Sequence, residues 1–308
     1  MGPRSFTTHT SEAIAAPLFR ISVEPEDLNG LRDPCRLRVD KITTIPKERL
    51  CGQFGRLARV ITTVGLLLGA SLVLNGCDSS DPTVPDRVDA FRILVFSKTI
   101  GYRHTSIESG QSLFRELGET EGFGVDVTEN PGEFSSDNLS DYAVVVFLST
   151  SEDVLNETQQ AAFQAYIRAG GGFVGVHSAT DTEYGWPWYG ELVGAYFFGH
   201  PLIQDAAIVV EDATHPSTRH LPAEWLRRDE WYNFDRNPRG AVQVLLTLRE
   251  ETYEGGLMGE DHPIAWYHEY DGGRAWYTAG GHTEESYEEP LFAEHLLGGV
   301  MWAAGEEG

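Results

Sequence analysis

The chain has 308 residues and a formal net charge of −24, which is enough length for one large α/β domain with extensions. The acidic excess lies after Cys77: up to that point ten Lys/Arg stand against seven Asp/Glu, and beyond it Lys98 is the single lysine. Partners that are nucleic acids or acidic membranes need a basic face, and this composition offers none. The three cysteines, Cys35, Cys51 and Cys77, leave everything downstream without an internal disulfide, a thiolate metal site or a cysteine nucleophile.

Residues 1–55 carry no convincing core pattern and read as a misassigned or disordered leader. No Met lies between Met1 and Met258, so a later start falls on a non-Met codon, with Leu50 a suitable place. Residues 56–77 read as a lipoprotein signal peptide. Arg56 and Arg59 precede the apolar run 60–74, and Leu74-Asn-Gly76-Cys77 matches a lipobox that makes Cys77 the lipidated residue. The run is too short for a comfortable membrane span; the alternative is a buried helix that ends by chance at a Cys. Residues 78–90 are a polar, Pro-containing tether. This order expects a protein held to a membrane by a lipid anchor in a bacterial cell envelope, periplasmic or surface-exposed.

From residue 91 to 308 strands and helices alternate. Phe91–Phe96 reads as a first strand, 105–117 as an amphipathic helix, 125–128 as a short strand and 142–148 as a buried strand. Asn156 with Gln159 makes a capping-box start for a helix that ends at Gly170. The run with Phe173, Val174 and Val176 is the next buried strand, and 206–210, 242–248, 264–270 and 275–278 add others. Asp271-Gly272-Gly273 suits a hairpin turn, and 290–304 closes the chain as a helix. The expected fold is a single α/β domain with a mostly parallel sheet and helices on both faces.

The stretch Gly170-Gly-Gly-Phe-Val-Gly-Val-His177-Ser-Ala-Thr-Asp181 runs from a buried strand into a tight turn. It has the form of a nucleophile elbow with His at the tip. An elbow exposes its central side chain, so His177 is expected to be a base or metal ligand; the alternative is a core histidine that fixes the turn through its ring nitrogens. A second polar turn, Gly280-Gly281-His282-Thr283-Glu284, follows the strand at 275–278. The segment Gly101-Tyr102-Arg103-His104 follows the first strand. Ligands of open α/β sheets bind beyond the carboxyl ends of strands, and these three segments all lie there. Aromatic residues gather at Tyr184, Trp186, Trp188 and Tyr189, and an aromatic wall with carboxylates suits sugars.

The ordered set Arg92-Ile-Leu-Val-Phe, Gly101-Tyr-Arg-His104, Gly175-Val-His177-Ser-Ala-Thr-Asp181, Gly199-His200-Pro201, Asp229-Glu230-Trp-Tyr232, His262-Pro263 and Gly281-His282 resembles the ThuA-like, or trehalose-utilisation, family. That resemblance implies the class I glutamine amidotransferase-like, flavodoxin-like fold and a link to sugar metabolism. In the amidotransferase scaffold an elbow Cys is served by a His-x-Glu pair, and His282-x-Glu284 has that spacing. With His177 in place of the Cys, glutamine hydrolysis is not expected. The reading that follows is a cell-envelope protein performing acid–base chemistry on a disaccharide or glycoside. His177 and His282 are the expected catalytic residues and Glu284 the carboxylate that orients His282. His104, Tyr102, Asp181, Trp186, Trp188 and Glu230 are the expected substrate contacts. His200, His177 and His282 are candidate ligands for a divalent metal such as zinc. Alternatives from other classes are a noncatalytic carbohydrate-binding lipoprotein and a docking partner for another envelope enzyme.

Overall fold

The computed structural model describes residues 89–306 and, apart from them, the backbone of two short strands, β1 (Phe19–Val23) and β2 (Cys35–Val39), which pair antiparallel. The lipobox and Cys77, with most of the expected tether, lie outside the described residues. Residues 89–306 belong to one compact unit, and the site lies in it.

That unit is built on a nine-stranded sheet. Its strands are β3 (Arg92–Phe96), β4 (Gly124–Thr128), β5 (Val144–Leu148), β6 (Gly172–Val176), β8 (Gln204–Val210), β9 (Glu224–Asp229), β11 (Gln243–Leu248), β12 (His262–Tyr270) and β13 (Gly273–Thr278). A small pair, β7 (Phe197–Gly199) with β10 (Asn233–Phe234), stands apart from it. The order across the large sheet is β4-β3-β5-β6-β13-β12-β11-β8-β9. From β4 to β13 all neighbours are parallel. From β13 to β9 every pairing is antiparallel, so β9 at the edge again points the same way as β13. The expected α/β class with a large sheet and flanking helices is what the chain forms.

Five helices complete the unit: α1 (Ile107–Glu121), α2 (Ser136–Leu139), α3 (Glu157–Arg168), α4 (Pro187–Val193) and α5 (Pro290–Ala304). Neighbouring residues on a strand point to opposite faces, which places the helices. Phe173 meets Phe163 of α3 and Tyr189 of α4. A Cβ on Gly172 would strike the Ala303 carbonyl of α5. Phe147 meets Phe163, while Leu148 faces Gly110 of α1. So α3 and α4 cover one face, α1 and α5 the other. Double coverage explains why Val144–Leu148 is apolar at every position and buried throughout. The Asn156/Gln159 capping box at the start of α3 is present.

His295 of α5 lies fully buried, its ring nitrogens set against the Ser217 carbonyl (2.7 Å) and the Thr278 hydroxyl (3.2 Å). Burial is the main cause that lowers its pKa to about 3. The unfolded chain takes up this proton near pH 6.5 and the folded chain does not. Stability from this group is therefore complete above about pH 6.5 and falls toward pH 3, by about 1.4 kcal/mol per pH unit. Urea melts of the full chain between pH 7 and pH 4.5 are expected to show this acid-side loss. A His295→Gln variant should lose stability less steeply over the same range; equal slopes would remove His295 from the explanation.

Candidate metal centre

The strand directions bring four loops to one end of the sheet. His104 precedes α1 in the loop after β3; His177, Glu230 and His282 follow β6, β9 and β13. His177 opens a 3-10 turn, His177–Thr180, with φ +53. That left-handed conformation is costly for a residue with a Cβ and clusters at functional sites. The turn is pinned from outside: the Tyr277 hydroxyl donates to the His177 carbonyl at 2.8 Å, and the Tyr189 hydroxyl to the Ala179 carbonyl at 2.7 Å. Gly175 is required below it, since a Cβ there would sit 3.0 Å from the Tyr277 ring.

Contrary to the elbow expectation, the His177 side chain is completely buried. One feature of the core-histidine alternative is present, because Nδ1 lies 2.8 Å from the Ala279 carbonyl. A carbonyl only accepts, so Nδ1 carries the hydrogen and Nε2 keeps its lone pair. That lone pair points into a cluster. His104 Nε2 lies 3.1 Å away, His282 Nδ1 3.2 Å, Glu230 Oε2 3.6 Å and the Tyr232 hydroxyl 2.9 Å. His282 Nδ1 is 3.0 Å from Glu230 Oε2. One donor atom from each of His104, His177, Glu230 and His282 fits within 4.8 Å of all the others.

This spacing is informative. Four donors on a tetrahedron about 2.1 Å from a central ion stand about 3.4 Å apart, and the four separations above run from 3.0 to 3.6 Å. The acceptor nitrogen of His177 thus faces two further imidazole nitrogens and a carboxylate oxygen, a set of donor atoms that a cation between them would hold together. Burial first, and repulsion from the neighbouring imidazoles second, lowers the His104 pKa to about 3 and holds that of His177 well below 6.5. Both rings are therefore neutral, the form that ligates a metal. The His177–Ala279 contact fixes the tautomer and orientation of the ring, as an outer hydrogen bond does for a histidine that ligates a metal.

Other expected site residues fall into different places. His200 is not one of the four; its side chain is 42% exposed, and Nδ1 approaches Glu230 Oε1 (2.9 Å) from the far side as well as the Pro201 carbonyl (2.8 Å). His104 stands where His200 was expected among the ligands. Glu284 is exposed and forms no hydrogen bond to His282; the carboxylate beside that ring belongs to Glu230. Trp188 donates to Asp271 at 2.7 Å in the β12–β13 turn and stacks on Trp186. That turn is at the end of β13 opposite His282, so neither tryptophan borders the cluster. Tyr102 does: its exposed ring meets the edge of His104 at 4.8 Å. Asp181 accepts from the Tyr184 hydroxyl at 2.6 Å and stays outside the group of four. Besides Tyr102, Tyr232 lies against the cluster, 4.3 Å from His177, with Phe197 behind it, 4.3 Å from Tyr232.

A family model described as ThuA, trehalose utilisation, matches residues 92–303. The chain belongs to the ThuA family. A ThuA-like protein from Bacteroides uniformis is 25% identical, with a TM-score of 0.61 over 72% of this chain and 95% of that one. One from Parabacteroides merdae shares the fold at 21% identity, with a TM-score of 0.59 over 70% of this chain and 90% of its own. A further likeness is short. A Mycolicibacterium smegmatis protein bearing the name endoribonuclease MazF is 43% identical over 53 residues, 17% of this chain and 46% of that relative, so the chain spans about half its length. The ThuA match covers β3 through nearly all of α5, and with them every residue of the four-donor cluster.

Proposed function

We propose that this ThuA-family protein is a metal-dependent enzyme of carbohydrate metabolism, with a divalent ion held by His104, His177, His282 and Glu230. The observation that carries this reading is the convergence of three imidazole nitrogens and a carboxylate at metal-ligand spacing. A nitrogen-rich set of this kind with one carboxylate suits zinc and neighbouring transition ions. Such an ion polarises a sugar oxygen and lowers the pKa of bound water. His177 is a ligand in this reading rather than the free base. The phenol of Tyr232, buried and 2.9 Å from His177 Nε2, is a group beside the centre able to donate a hydrogen bond to a bound sugar. The family supports a disaccharide or glycoside as the substrate class. The absence of any thiol beyond Cys77 supports an amidotransferase-like scaffold that no longer hydrolyses glutamine.

The test is calorimetric titration of chelator-treated full chain with Zn²⁺, Co²⁺ and Mn²⁺, followed by assay against disaccharides and oxidised sugars. One ion per chain and turnover only in the loaded protein are expected. Turnover that is indifferent to chelation would overturn the metal-dependent reading. Attachment to the envelope through Cys77 is part of the same proposal, carried by the lipobox spacing. Metabolic labelling with a fatty acid should mark the wild-type chain and leave Cys77→Ser unmarked; equal labelling would refute it.

A further inference from the structure

The cluster draws Glu230 from the end of β9 and His282 from the end of β13. Those strands are separated in the sheet by β12, β11 and β8, so no strand pairing joins the two ligands. What joins them is Asp229, a residue with no surface exposure at all. Its Oδ1 accepts from the backbone N–H of Glu230 at 2.9 Å and from that of His282 at 3.1 Å. Its Oδ2 accepts from the N–H of Gly281 at 2.9 Å and from the Ser286 hydroxyl at 3.0 Å. A single oxygen thus holds the amides of two candidate ligands that come from distant strands.

We propose that Asp229 is the positioning residue that assembles the metal centre, a role that rests on the metal reading above. It sets Glu230 against His282 by clasping the edge of the sheet to the β13 loop. The acceptor demand is specific. All four partners donate, and an ionised carboxylate is the side chain that accepts on both oxygens without offering a hydrogen. The Arg227 guanidinium, 3.4 Å away, supplies the compensating charge that a buried carboxylate needs. Gly281 has φ +111, and a Cβ there would sit 2.7 Å from the Tyr287 hydroxyl, so the loop conformation that offers its N–H to Asp229 needs glycine at this position.

The alternative is that Asp229 merely caps a loop, with no bearing on the ligands. Co²⁺ titration of the full chain separates the two, because the visible absorption of Co²⁺ reports the geometry of its ligands, which simple loss of stability does not alter. In Asp229→Asn one side-chain oxygen becomes an NH₂ group facing two donors. That variant is expected to bind Co²⁺ about 10- to 100-fold more weakly, the range found for outer-sphere partners of metal ligands, with an altered absorption band at saturation. Ser286→Ala, which removes one donor and keeps Oδ1 with both amides, is expected to shift affinity in the same direction by a few-fold. It serves as the deciding variant if Asp229→Asn does not fold: wild-type affinity and spectrum in Ser286→Ala then overturn the proposal. Wild-type affinity and spectrum in a folded Asp229→Asn overturn it directly. Failure of the wild-type chain to bind Co²⁺ overturns instead the metal reading beneath it.

Discussion

His177→Ala is expected to bind a divalent ion at least about 100-fold more weakly than the wild-type chain, and to lose any turnover that depends on it. Removing a residue that merely orients a ligand costs 10- to 100-fold, and His177 is the ligand on which the other distances converge. The same change leaves the Ala279 carbonyl without its partner and opens a gap beneath Tyr232. A stability loss of about 1–3 kcal/mol should accompany it. Metal titration and a urea melt on one preparation read both effects. Glu284→Ala is the matched control: its side chain is exposed and touches neither His282 nor the cluster, so both quantities should stay at wild-type values. Wild-type metal affinity in a folded His177→Ala protein would show that the ring is a core histidine and nothing more.

The largest effect on stability is expected at Phe147. Its fully buried ring lies 5.3–5.8 Å from the rings of Phe96, Phe134, Phe163, Phe173 and Tyr189. It is the hub on which α3 and α4 dock against β3, β5 and β6. Truncating a buried Phe to Ala costs about 3–5 kcal/mol, because transfer energy is lost and the cavity cannot collapse. For a unit of this size that corresponds to about 10 °C in Tm. Differential scanning calorimetry of Phe147→Ala should show that fall, with metal stoichiometry unchanged because the ring lies inside the sheet–helix layer. A decrease below about 2 °C would mean that the aromatic layer repacks and that docking of α3 and α4 rests elsewhere.

Much of the fold is legible in the chain because its central strands are covered on both faces. Val144–Leu148 and Gly172–Val176 are apolar without interruption, and the capping box at Asn156 and the hairpin turn at Asp271-Gly272 have local signatures that tertiary context does not override. The edge strand β9 is harder to see. It buries Trp225, Arg227 and Asp229 and exposes Leu226, so its alternation is inverted in hydrophobicity and reads as a polar loop. That inversion also hides Asp229, whose buried carboxylate is recognisable only once its four donors are in place.

The site is legible to the same degree. Strand-end topology predicts that His104, His177 and His282 share one end of the sheet, and the structure places them within contact of one another. It cannot predict which carboxylate joins them. Glu284 is close to His282 in sequence, yet the 3-10 turn that follows carries it to the surface, while Glu230 arrives from four strands away. The tryptophans mislead for a similar reason. Following the elbow in sequence does not keep Trp188 near it, because the chain has already reached the opposite end of the sheet where α4 begins, and there the indole donates to Asp271.

The central claim is that one ion sits among His104, His177, His282 and Glu230. Anomalous diffraction at the zinc edge, from crystals of the full chain grown with Zn²⁺, tests it directly. The account predicts one strong peak per chain, about 2.0–2.2 Å from an imidazole nitrogen of each histidine and from a Glu230 oxygen. No peak at that position, with His177 Nε2 still hydrogen-bonded to the Tyr232 hydroxyl, would contradict it.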